Sequence, residues 1–177
     1  MAQSVELLLD PDTEQAVVAE WLLLRDAGLP TEWRSVPAPS HRPHVTLYAG
    51  TDLNAGADAA LPGLVADLEL TLELGSPLVF PGRVRGGAGT FVLVRQVVTS
   101  VELLTLQTRV AELCGAGLGS HFGPGRFTPH VTLARRMTGA QVGLALDLLT
   151  SAAPAERTAY VTRARRWDGT AKHDWLL

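Results

Sequence analysis

Two short segments of this sequence carry residue types that can do acid–base chemistry as a pair. Pro43-His44-Val45-Thr46-Leu47 recurs, residue for residue, as Pro129-His130-Val131-Thr132-Leu133, about half a chain further on. A lone His-x-Thr says little in a chain with 5 His, but chance repeats the whole pentapeptide only about once in two thousand such chains. In a strand, alternate side chains share a face, so His44 and Thr46 project together, about 6.5–7 Å apart at Cα, while Val45 and Leu47 anchor the other face. His130 and Thr132 project likewise, above Val131 and Leu133. Imidazole titrates near neutral pH, so one ring can take a proton from water while the other gives one to a departing oxygen. The threonine hydroxyls can donate hydrogen bonds to non-bridging phosphoryl oxygens, stabilising charge that builds in the transition state. This set suits the opening of a strained cyclic phosphodiester by in-line attack of water, with no metal and no cofactor. If a pseudo-twofold relates the halves, the two pairs face each other across a cleft.

The elements that must position these pairs follow from periodicity and turn chemistry. Residues 4–10 read as an apolar strand and residues 11–27 as a helix ending near Gly28, with an extended Pro-rich loop over 34–43. A strand follows at 44–49, then a weak helix over 53–67 interrupted by Pro62-Gly63. Leu68, Leu70, Leu72 and Leu74 alternate with Glu69, Thr71 and Glu73, the pattern of a strand with one wet face in an antiparallel sheet. Residues 91–98 form another strand, entered through a hairpin turn at Gly86-Gly87-Ala88-Gly89. Ser100 caps a helix with Leu103, Leu106, Val110 and Leu113 on one face. A strand at 127–134, a helix at 141–149 and a closing hairpin of 158–167 with 173–177 complete the chain. The order predicts two α+β halves rather than a doubly wound parallel sheet. The glycine turn lacks both phosphate-loop and dinucleotide spacing.

Composition narrows the function classes. The 177 residues carry Lys+Arg 15 against Asp+Glu 18, a net charge of −3, which argues against a long nucleic-acid footprint. Arg supplies all but one of the cations, Lys172 being the exception, as GC-rich codon usage or phosphate contact would each produce. The single cysteine, Cys114, excludes an internal disulfide and a Cys-cluster zinc site and reads as a small buried residue. No apolar run reaches the roughly 18–20 residues of a membrane span, and the first residues lack the basic start of a signal peptide. The expectation is a cytoplasmic monomer.

The two Pro-His-Val-Thr-Leu segments resemble the paired His-x-Thr signature of the two-histidine (2H) phosphoesterase superfamily, and within it the 2′-5′ RNA ligase/RNA 2′,3′-cyclic phosphodiesterase branch. The resemblance covers nearly the whole chain in length, motif placement and element order. It implies one bilobal α+β domain over 1–177, with two antiparallel-rich sheets, outer helices and a central cleft to which each lobe brings one His-x-Thr. It also implies that His44, Thr46, His130 and Thr132 are catalytic, and that the substrate is an RNA end or small nucleotide carrying a 2′,3′-cyclic phosphate. The Pro-rich loop 34–43 departs from the best-known RNA-end enzymes. Ligation or 2′-5′ phosphodiesterase activity at the same site, and a non-catalytic binding module, are the rival readings.

Around the motifs, Arg42 and Arg126 are candidates for phosphate or sugar contact, and Tyr48, four residues after His44, for base stacking. Strict alternation sends Arg135 away from His130 unless a bulge redirects it. Phe127 belongs to the core by the same count. Trp33 is a looser stacking candidate; Trp21, Trp167 and Trp175 read as packing residues. His41, three residues before His44, is a candidate third ligand if the two motif histidines bound a metal, but no ligand has convincing metal spacing and it reads as a surface residue; His121 and His173 read as structural or solvent-facing.

Overall fold

Strand β1 (Gln3–Leu8) is buried along its whole length, because it lies between two neighbours of one sheet and carries the apolar residues Val5, Leu7 and Leu8. The computed structural model describes residues 2–36, 38, 40–85, 88–115, 122–123, 125–152 and 157–177. Among these, β1 is followed by α1 (Pro11–Asp26), β2 (His44–Gly50), α2 (Ala57–Val65), β3 (Leu70–Arg85), β4 (Ala88–Val97), α3 (Val101–Cys114), β5 (His130–Met137), α4 (Gly139–Ala152), β6 (Arg157–Val161), β7 (Arg163–Asp168) and β8 (His173–Leu176). Two four-stranded sheets result, in the orders β2-β1-β7-β8 and β5-β4-β3-β6, with every pairing antiparallel. The two motif strands, β2 and β5, are the edge strands and touch each other. This is the bilobal α+β architecture expected from the sequence.

The helices start where the sequence provides caps. Asp10 accepts the Thr13 backbone N–H at 3.0 Å and the Thr13 hydroxyl at 2.8 Å, and Pro11 opens α1 without losing a needed donor. Val17, Trp21 and Leu24 then fall on the buried face. Ser100 accepts the Leu103 N–H at 3.2 Å to start α3, which buries Leu103, Val110 and Cys114. The two helices cross over: α1, which links two strands of the first sheet, packs on β5 and β6 of the second, whereas α3, which links two strands of the second, packs on β2. Burial pushes the Cys114 thiol up to about 11, in keeping with a packing role.

Three expectations change. The strand beginning near residue 70 does not stop at 74 but runs to Arg85, with register shifts beside Pro77 and Pro81 that accommodate residues lacking an N–H. The weak helix is shorter than read, Ala57–Val65, and is not interrupted at Pro62-Gly63, both of which lie within it. Residues 158–167 are not one strand: β6 pairs with β3 in one sheet, and after Thr162 the chain enters the other sheet as β7, beside β1. The hairpin turn at 86–87 and His121 lie outside the described residues, although Arg85 and Ala88 pair as such a turn requires. Among the described residues, no helix is long and apolar enough to cross a membrane.

Candidate active site

The pentapeptide repeat extends into a repeated backbone irregularity. In β2, Thr46 pairs with Glu6 and Tyr48 with Val5, leaving Leu47 as the extra residue of a bulge. In β5, Thr132 pairs with Val94 and Ala134 with Leu93, leaving Leu133 as the extra residue. Two consecutive side chains therefore turn inward in each copy, Leu47 with Tyr48 and Leu133 with Ala134, all four at most 1% exposed. The next residues, Ala49 and Arg135, return to the side of the histidines.

Both His-Thr pairs line one cleft of about 520 Å³, together with Ser4, Glu6, Phe80, Val92, Phe122, Arg135 and Trp167. His44 Nδ1 contacts the Arg42 carbonyl at 2.7 Å and His130 Nδ1 contacts the Thr128 carbonyl at 2.7 Å. A carbonyl only accepts, so each Nδ1 carries the proton and each Nε2 is the nitrogen that can exchange protons in the cleft. Among the described residues, the Thr46 and Thr132 hydroxyls have no hydrogen-bond partner and are available as donors. A separate apolar cavity of about 280 Å³ contains Glu20 and Arg95, already ion-paired at 2.5 Å, and no histidine.

Each further candidate has a definite place. Tyr48 is not in the cleft: the bulge turns it into the core, where its hydroxyl donates to the Asp52 carbonyl at 2.9 Å and its ring fills the space a Cβ at Gly50 would need. Arg126 is exposed in the turn bonded to Gly123 and is not among the cleft-lining residues. Arg42 pairs with Glu14 and lines a groove beside the cleft. Phe127 packs against the core as expected. Trp167 lines the cleft, contrary to its reading as packing alone, and Trp21 donates to the Thr132 carbonyl at 3.0 Å.

The sequence profile of the 2′-5′ RNA ligase superfamily matches residues 10–171, a span that holds both motifs. The chain belongs to the 2′-5′ RNA ligase superfamily. No curated protein matches the sequence significantly. Among solved structures, TT0787 of Thermus thermophilus is similar in fold, with a TM-score of 0.56, 19% identity, and coverage of 100% of this chain and 95% of that one. Usb1 of Kluyveromyces marxianus gives 0.55 at 12% identity, covering 99% of this chain and 97% of its own. A structure of Usb1 with uridine monophosphate gives 0.51 at 14% identity, with the same coverage.

The two halves of this superfamily member's cleft differ in charge. On the His44 side stands Glu6, its Oε1 3.6 Å from His44 Nε2. Glu6 is held by Arg165 at 2.7 Å and accepts the Ser4 hydroxyl at 2.7 Å. Arg165 also pairs with Asp174 at 3.2 Å. On the His130 side, the residue opposite Thr132 is Val94, Phe80 meets the His130 ring edge-on at 5.0 Å, and Arg135, ion-paired to Glu32 at 2.9 Å, lines the cleft. Each half-site thus holds an ion pair, but the member that lines the cleft is the carboxylate of Glu6 on one side and the guanidinium of Arg135 on the other. Glu6 was missed from sequence, where it sits within an apolar run. A charged residue in a wholly buried strand is the signal that marks it.

Burial pushes the Glu6 carboxyl up, but the charges of His44 and Arg165 and the Ser4 hydroxyl outweigh it and hold the group below its ordinary value of 4.5. A carboxyl more acidic in the folded than in the unfolded chain stabilises the fold above that value, and the contribution is lost as pH falls through the folded value. Asp10 adds in the same direction: slight burial raises it, and the bonds from Thr13 and Tyr160 lower it further. Urea midpoints are therefore expected to fall as pH drops below 4.5, and replacement of Glu6 by Gln is expected to shallow that fall. An equally steep decline in Glu6→Gln would assign acid sensitivity elsewhere.

Proposed function

We propose that this protein is a metal-independent phosphodiesterase that opens 2′,3′-cyclic phosphates of RNA ends or small nucleotides, with His44, Thr46, His130 and Thr132 as its catalytic residues. The observation that carries the reading is two imidazoles in one cleft, each with Nδ1 tied to a carbonyl so that Nε2 serves proton transfer, each accompanied by an unengaged threonine hydroxyl. Support for the ligand class comes from the structurally similar Usb1, which has been captured with uridine monophosphate. The 177 residues act as one bilobal domain, a cytoplasmic monomer with no long nucleic-acid footprint.

The asymmetry of charge assigns the roles in this proposal. Glu6 supplies a counter-charge for a protonated His44, which makes His44 the general acid. His130, set edge-on against Phe80, then takes the complementary role of general base. Water, losing a proton to His130 Nε2, forms the new P–O bond. The bond from phosphorus to one ribose oxygen breaks, and His44 Nε2–H protonates that oxygen. Thr46, Thr132 and Arg135 hold the non-bridging oxygens as charge accumulates on them. The product is a phosphate monoester, and solvent exchange restores both rings.

The test is hydrolysis of a panel of 2′,3′-cyclic nucleotides and a cyclic-phosphate-ended oligonucleotide in excess EDTA. Turnover with a bell-shaped pH dependence is expected. Turnover only on addition of a divalent metal, or tight binding without turnover, would overturn the reading, the latter in favour of a binding module.

A further inference from the structure

Beside the catalytic cleft, and sharing His44, Thr132 and Arg135 with it, runs a second groove of about 470 Å³. Arg34, Arg42, Arg135 and Arg136 all line it, against a single carboxylate, Glu32. In a chain whose net charge is −3, this concentration of guanidinium groups is local rather than general. Glu14 engages Arg42 and Glu32 engages Arg135 at 2.9 Å. Arg34 and Arg136 have no ion pair or hydrogen bond among the described residues, and the Nε of Arg42 is buried without a partner. Arg136 also stands at φ 62, in the left-handed region. The chain therefore keeps an arginine at a backbone conformation that disfavours it. Trp33, over which Arg25 stacks at 4.3 Å, completes the wall.

We propose that this groove is a subsite for a second phosphate, one nucleoside away from the reacting one, so that the preferred substrate is a cyclic-phosphate end that carries a further phosphate. The inference rests on the cyclic phosphodiesterase reading and narrows it. A phosphate presents acceptor oxygens to several guanidinium forks at once, which matches the unengaged Arg34 and Arg136. A nucleoside 2′,3′-cyclic phosphate with nothing attached at O5′ has no group to place there. A second phosphate can come from the linkage to a preceding nucleotide or from a 5′-phosphate on a single nucleotide.

Three uridine substrates separate these cases: uridine 2′,3′-cyclic phosphate, the same compound with a 5′-phosphate, and the dinucleotide UpU ending in a 2′,3′-cyclic phosphate. In the wild type, a second phosphate is expected to raise kcat/KM by about tenfold or more, through charge-assisted contacts. Arg34→Ser and Arg136→Gly are each expected to remove most of that gain while leaving the simple cyclic nucleotide within about twofold of wild type, and to flatten the salt dependence for the dinucleotide. Arg136→Gly relaxes the backbone at that position, so a folding defect does not obscure the result. A gain with the 5′-phosphate equal to that with the dinucleotide identifies a terminal phosphate as sufficient, and a gain with the dinucleotide alone identifies a diester. Equal kcat/KM for all three substrates in the wild type, or a gain that survives in both variants, would overturn the proposal. Calorimetric binding of uridine 3′,5′-bisphosphate against uridine 3′-monophosphate tests the subsite apart from turnover. Tighter binding of the bisphosphate, weakened in both variants, supports the groove even if no substrate is hydrolysed, and equal binding counts against it.

Discussion

Replacing either His44 or His130 by alanine is expected to lower kcat for a 2′,3′-cyclic nucleotide by about 10²–10⁴-fold, the usual contribution of a positioned acid or base. The two losses should not multiply. The acid and the base act on opposite ends of one in-line displacement, so the double variant should lie close to the weaker single one. KM should change little for either variant, because the substrate's phosphoryl oxygens remain in reach of the threonine hydroxyls. Neither replacement opens a core cavity: the His44 side chain is 29% exposed and His130 is half-buried at the cleft wall. Far-UV circular dichroism and urea midpoints are the controls, and both should match wild type. Full activity in either single variant would remove that histidine from the reaction, and with it the paired mechanism.

The largest effect on stability is expected at Arg165 rather than at any catalytic residue. Its side chain is 4% exposed and that of Glu6 is 8% exposed, so Arg165→Met strands a buried carboxylate. Breaking such a pair from one side costs about 3–5 kcal/mol, far more than the pair is worth against a neutral replacement of both partners. The urea midpoint of Arg165→Met should fall accordingly. The double variant Glu6→Gln/Arg165→Met should recover a substantial part of the loss, because the charge left without Arg165 is then Asp174, whose side chain is 29% exposed to water. A single variant within about 1 kcal/mol of wild type, the range of an exposed ion pair, would show that the site is wetter than its burial indicates. The same Arg165 fixes Glu6 in the position from which it faces His44, so the experiment also reports on the support of the acid.

The two His-Thr pairs were legible because their signal is an identical sequence with the period of a strand, and both lie in strands, although β5 begins at His130, three residues later than read. What the pattern could not supply is the parity of residues beyond an inserted one. Counting by twos from His44 puts Tyr48 in the cleft, and counting from His130 removes Arg135 from it. The bulges at Leu47 and Leu133 reverse both. The same physics hid Phe80, which lies in β3 beyond a register shift between Leu74 and Pro77, past the alternating leucines that marked the strand. Glu6 was hidden differently. A strand that reads Val-Glu-Leu-Leu-Leu is recognised by its apolar residues, and the one carboxylate is explained only by Arg165, 159 residues away in sequence. Pairings at that separation are set by the tertiary fold, not by any local window.

The passage of the chain from β6 to β7 at Thr162 has a consequence for how the molecule is made. Although the motif repeats at the half-chain distance, the strands of the first sheet do not come from one contiguous stretch of chain, whereas β3 to β6 of the second do. The first sheet needs β7 and β8 from the far end of the sequence, and without them β1 is paired on one side only. During synthesis the second sheet can assemble as soon as β6 has appeared, while the earliest strands made wait for the latest. The motif segment bearing His44 thus precedes the one bearing His130 in synthesis, yet its sheet is completed later, so a chain cut between the two motifs would yield an incomplete first sheet rather than a separable lobe.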